Sequence, residues 1–114
     1  MVRHESEIKS VDMVGNGVVG VTKQILIGPK DGYDGFLRVF TVQPGGKSPY
    51  HPHPWFHANY ILEGEGKVVI DGIDNPIKAG SVAYIDGGKM HHFVNTGAAP
   101  LKFICLVPQA GDSY

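Results

Sequence analysis

Three histidines fall within seven residues, in the run His51-Pro52-His53-Pro54-Trp55-Phe56-His57. Side chains of an extended chain alternate between faces, and positions 51, 53 and 57 share parity, so their imidazoles can share one face. Two prolines support that geometry, because each pushes the residue before it toward extended backbone, and those residues are His51 and His53. The same prolines lack a backbone donor, which suits the lip of a sheet better than its middle. Neutral imidazole is a common ligand for divalent transition ions, bonding at about 2.0–2.2 Å. A solitary histidine is ordinarily solvated or hydrogen-bonded. Three of one parity, set between prolines, point to a metal.

A site of this kind needs rigid elements behind it. Short runs rich in branched and aromatic residues occupy 18–27, 36–42, 59–62, 67–70, 82–85, 92–95 and 101–107. Asp-Gly pairs at Asp31-Gly32, Asp34-Gly35, Asp71-Gly72 and Asp86-Gly87 mark turns between them. Short strands at such spacing predict an all-β sandwich or barrel, and no window keeps a helical period. Residues 1–15 read as an N-terminal arm or an edge strand. Several strands are apolar on both faces, as in Phe36-Leu37-Arg38-Val39-Phe40. One face lines an interior, and the other is expected to pack on a second layer or in a homodimer.

The bulk composition narrows the function classes. A chain of 114 residues suits a single domain. Its net charge of −1 offers no basic excess for a phosphate backbone, so nucleic acid is not an expected partner. The single cysteine, Cys105, excludes an intramolecular disulfide framework. Residues 1–10 carry Arg3, His4, Glu5, Glu7 and Lys9 and no apolar run of signal-peptide kind. The longest apolar stretch, 103–107, is too short to cross a bilayer. A cytoplasmic protein without a membrane partner is the expectation.

The flanking residues make the resemblance specific. Gly45 is followed by five residues and the His51-x-His53 pair, then His57 and, after six more residues, Gly64. This resembles the first motif of the cupin superfamily. Gly80, then Asp86-Gly87-Gly88, His91 and Asn95, resembles the second motif, whose histidine completes the metal site. The two motifs occupy 45–64 and 80–95, and the segment between them has the length of a joining hairpin. The resemblance implies a double-stranded β-helix, the cupin jelly-roll barrel, as one domain over 1–114. It implies a divalent ion held by His51, His53, His57 and His91.

The chain departs from the common pattern at two positions. Asp86 stands where a proline is usual, a tolerable change in a turn. His57 stands where a glutamate is usual, and that alters the chemistry. Four neutral ligands leave a divalent ion its full charge, which favours an anionic substrate or hydroxide at its open positions. The His-Pro-Trp run is similar to a subgroup of small single-domain cupins with this all-histidine set. Open imidazole sites suit manganese, iron, nickel, copper or zinc alike.

Further residues are candidates for a small-molecule pocket. In cupin topology the last strand lies beside the metal-bearing ones, so Phe103 and Cys105 are expected to face the cavity; a free cysteine also serves as a small buried hydrophobe. Arg38, the one charge in an apolar strand, is expected to meet a carboxylate partner, to face the cavity mouth, or to lie at the surface. Trp55, Phe56, Tyr60 and Tyr84 are candidate apolar walls. His92 should point away from His91, and His4 belongs to the arm. The resemblance to cupin oxygenases implies a dioxygenase-like, metal-dependent oxidoreductase acting on a small organic molecule. A Lewis-acid isomerase, lyase or hydrolase, and a non-catalytic binding module, are the alternatives the fold also allows.

Overall fold

The computed structural model describes residues 1–15 and 17–112. Nine strands form one curled antiparallel sheet: β1 (Val11–Asp12), β2 (Val19–Ile27), β3 (Phe36–Lys47), β4 (His57–Glu63), β5 (Glu65–Ile70), β6 (Ile73–Lys78), β7 (Val82–Ile85), β8 (His91–Asn95) and β9 (Leu101–Val107). The strand order is β6-β5-β8-β3-β9-β4-β7, with β2 pairing β3 and β1 pairing β2. The expected all-β jelly-roll barrel is what forms. Among the described residues, no helix is long and apolar enough to cross a membrane.

Alternation does the folding work. In β9 every second residue from Leu101 to Val107 is buried, and Phe103 and Cys105 point inward with them. Phe103 stacks between Phe40 and Phe93, with ring centroids 5.6 and 4.1 Å apart. Val42, Ile61 and Leu101 are wholly buried beside this stack. Each such side chain contributes about 1.5–3 kcal/mol by leaving water.

Two elements run beyond the lengths the sequence suggests. β3 continues through Pro44-Gly45-Gly46, residues that would ordinarily end a strand. Gly45 takes φ 79°, and a Cβ on Gly46 would stand 2.5 Å from the Val19 carbonyl oxygen. The glycines thus let β3 bend from β9 toward β8, where Lys47 pairs Val94, while its other edge stays paired to Val19 of β2. β6 forms despite Pro76 because it is an edge strand. Its hairpin with β5 turns on Asp71-Gly72, both at positive φ (48° and 78°), in the two-residue geometry that suits strand twist.

Residues 1–10 lie against the sheet. Arg3 pairs Asp31 and donates to the Leu26 carbonyl, while Gln24 Nε2 donates to the carbonyls of Glu5 and Ile8. After β1, the Met13 amide donates to the Val21 carbonyl, which carries the Met13 side chain onto the core.

Candidate metal centre

The rim between β3 and β4 carries His51 and His53, and His57 opens β4. The rim is tied down on both sides. Ser48 N donates to the Phe93 carbonyl while its hydroxyl accepts from Phe93 N. His51 forms an isolated antiparallel bridge with His91, and Gly88 N donates to the His53 carbonyl. Gly87 packs so closely that a Cβ would stand 2.5 Å from the Pro54 carbonyl oxygen. The Asp86-Gly87-Gly88 turn therefore serves the site as well as the chain reversal.

His53, His57 and His91 are buried, and one ring nitrogen from each lies within 4.8 Å of the others. The ring of His57 is 4.6 Å from His91 and 5.1 Å from His53. His51 is half-buried at the edge of this cluster, its ring 4.4 Å from His53. Three of the four expected ligands are thus gathered, with the fourth alongside. His92 points away, its ring against Tyr50 and its Nδ1 on the Ser48 carbonyl.

Burial sets the protonation. It depresses the His53 pKa to about 4 and the His57 pKa to about 3, with the neighbouring histidines adding to the effect. Burial lowers His91 as well, against a hydrogen bond to Lys89 that opposes it. All three are neutral at pH 7, the state that ligates a metal. A carbonyl only accepts, so the His91 Nδ1–H donates to the Lys89 oxygen at 2.9 Å and Nε2 is left as the ligand atom. His57 Nε2 is buried with no hydrogen-bond partner among the described residues. A buried ring nitrogen without a partner is costly unless an ion occupies its lone pair. The donor set fits a divalent transition ion.

A cavity of about 30 Å³ adjoins the cluster, lined by His57, His91, Arg38, Cys105, three phenylalanines (Phe40, Phe93 and Phe103), Met13, Ser48 and Pro49. That volume holds about two water-sized groups. Of the candidate pocket residues, Arg38, Phe103 and Cys105 line this cavity. Arg38 is only 1% exposed and meets a carboxylate as well: Nη1 donates to Asp112 at 3.2 Å. Nη2 donates to the Cys105 sulfur at 3.2 Å, and the guanidinium lies over the Phe40 ring. Burial raises the Cys105 pKa, so the thiol stays protonated.

Tyr60, expected at the pocket, is 47% exposed on the outer face, because it has the opposite parity to the inward His57, Asn59 and Ile61. Phe56 and Tyr84 stack on each other outside, and Trp55 lies parallel to the His53 ring. The apolar walls are instead Phe40, Phe93, Phe103 and Met13. Lys23 and Asp112 escaped the sequence reading altogether. Lys23 shares parity with the core residue Val21, and a charge at an inward position was the available signal.

Residues 38–107 match the family model described as a cupin domain. The oxalate-binding protein of Thermotoga maritima is 40% identical over 67 residues, 58% of this chain and 55% of that protein. The chain spans about half the length of the curated relatives it matches. Among solved structures, the polyketide cyclase RemF from Streptomyces resistomycificus superposes with TM-score 0.87 at 31% identity, covering 96% of this chain and 80% of that one. A predicted oxalate decarboxylase from Thermotoga maritima gives 0.85 at 32%, covering 95% and 98%.

Proposed function

The chain belongs to the cupin family, and from that premise we propose that it is a metal-dependent, dioxygenase-like oxidoreductase acting on a small organic anion. One observation carries the reading: three buried neutral histidines gather at one point, and two of them, His57 and His91, line a cavity together with the buried Arg38. In this reading His51 joins His53, His57 and His91 on one divalent ion per chain. A bound ion supplies Lewis acidity and, if it is iron or manganese, redox chemistry.

The residues of the chain supply the rest. With neutral ligands, the charge of the ion is not offset, and Arg38 adds a second positive pole within the same cavity. A small carboxylate suits that charge pattern. Phe40, Phe93, Phe103 and Met13 exclude water around it. No aspartate, glutamate or lysine is among the described residues lining the cavity. Proton-shuttling isomerisation wants a general base within reach, so this lining favours redox chemistry over it.

That same lack of a base also favours a second reading, in which a small carboxylate binds without turnover. The Thermotoga relative named for oxalate binding agrees with it. Oxygen uptake by iron- or manganese-loaded protein, presented with small dicarboxylates, keto acids and phenols, separates the two. Uptake with product formation is expected for the oxidoreductase, and tight binding with no conversion for the binding module. Product without uptake would return the Lewis-acid alternative. No binding of any small anion would refute both readings.

A further inference from the structure

We propose that Asp112, backed by Lys23, is a positioning residue that holds Arg38 toward the cavity. The inference rests on the reading of Arg38 as the anion-binding pole. A buried guanidinium needs a compensating charge, and β3, which carries Arg38, contains no carboxylate. The compensating charge comes from the turn after β9 instead. One oxygen of Asp112 accepts from Arg38 Nη1 at 3.2 Å and from Lys23 Nζ at 2.9 Å. All three side chains are nearly buried. Two cations thus share one carboxylate oxygen.

The contacts fix the guanidinium plane. Asp112 takes Nη1, the Cys105 sulfur takes Nη2, and the Phe40 ring supports the face at 4.9 Å. Nε is buried and has no partner among the described residues. An arginine held on its other contacts with a donor to spare is set up to receive an acceptor.

The turn that carries Asp112 also touches the metal side. Gly111 N donates to the Pro108 carbonyl, and a Cβ at Gly111 would lie 2.6 Å from Val107 Cβ and 3.1 Å from Trp55 Cδ1. Trp55 in turn lies against His53. Lys23, Gly111 and Asp112 all fall outside the stretch matched by the family model.

Zinc-loaded protein tests the proposal by oxalate titration calorimetry and by exchange of the Arg38 Nε–H proton, assigned by its loss in R38K. Asp112→Asn is expected to weaken oxalate about tenfold, within the range for outer partners of a site. It should speed Nε–H exchange by a similar factor while zinc affinity stays within about twofold. Asp112→Glu should recover much of both losses. Lys23→Gln removes one of the contacts that hold the Asp112 carboxylate in place and should change both readouts in the same direction by about threefold; it decides the matter if Asp112→Asn does not fold. Wild-type exchange and oxalate affinity in the folded variants would overturn the clasp. So would a parallel collapse of zinc and oxalate binding, which marks a purely structural role. If wild-type protein takes no oxalate, the functional reading of Arg38 falls, and exchange in Lys23→Gln alone decides the clasp: faster supports it, unchanged overturns it.

Discussion

The rings of His53 and Trp55 are parallel to within 8°, with centroids 4.9 Å apart. The stack holds a buried imidazole by its flat face and leaves its edge toward His57 and His91. Trp55 is also the only tryptophan of the chain, so its emission reports on the cluster alone. Binding of a paramagnetic ion such as copper or nickel should quench that emission with one equivalent per chain. Trp55→Leu should weaken metal binding by about tenfold, the lower end for residues that orient a ligand. Emission indifferent to metal would remove the stack from any role in the centre.

The ligands should not contribute equally. His57 and His91 are buried, one with an unpartnered Nε2 and the other oriented by the Lys89 carbonyl, whereas His51 is half-buried at the edge. Alanine at 57 or 91 should reduce metal occupancy below one-tenth in protein purified without added ion, as removal of an inner ligand costs more than the tenfold or greater loss seen for outer ones. His51→Ala should keep one ion per chain with about tenfold weaker affinity. Elemental analysis and calorimetry read the two effects separately. An unchanged affinity in His51→Ala would leave a three-histidine centre.

Much of this centre was legible because it obeys local rules. Parity placed His51, His53 and His57 on one face, and Asp71-Gly72 marked its hairpin. Parity also settles Tyr60, since a strand that turns His57 inward must turn Tyr60 out. Other features depend on pairings that no local pattern encodes. Asp112 meets Arg38 across 74 positions and Lys23 across 89, and Met13 reaches the cavity only because β1 pairs with β2. The bend of β3 through Pro44-Gly45-Gly46 was likewise hidden, because those residues mark a strand end unless a partner strand carries them on.

The apo protein should lose stability as the medium is acidified. Burial depresses the folded-state pKa of His57 to about 3 and of His53 to about 4, whereas the unfolded values lie near the ordinary 6.5. Between these values the unfolded chain binds protons that the folded chain refuses, so unfolding gains free energy as pH falls. The loss should begin near pH 6.5 and level off below about pH 3, where both states are protonated. Metal retention should fall over the same window, because protons compete for the ring nitrogens. Chemical denaturation at a series of pH values checks the first claim and dialysis against chelator-free buffer the second. A midpoint constant from pH 7 to pH 4 would mean that these histidines are not buried neutral.

The Asp86-Gly87-Gly88 turn gives the sharpest geometric test of the rim. A methyl group at Gly87 would lie 2.5 Å from the Pro54 carbonyl oxygen and 2.9 Å from its carbon, both backbone atoms. Neither can rotate away, so Gly87→Ala must push residues 53–55 outward. That movement carries His53 away from His57 and His91 while β4 and β8 stay paired to their neighbours. Metal affinity should therefore fall by about tenfold or more, with a loss of only about 1–2 kcal/mol in the stability of the apo protein. Gly80→Ala serves as the comparison. It strains a turn at φ 93° between β6 and β7, where Gly80 N donates to the Ile61 carbonyl four residues along β4 from His57, and should cost stability without touching metal binding. Calorimetric titration of both variants reads the contrast, and equal metal affinities would mean that the rim is not held by this turn.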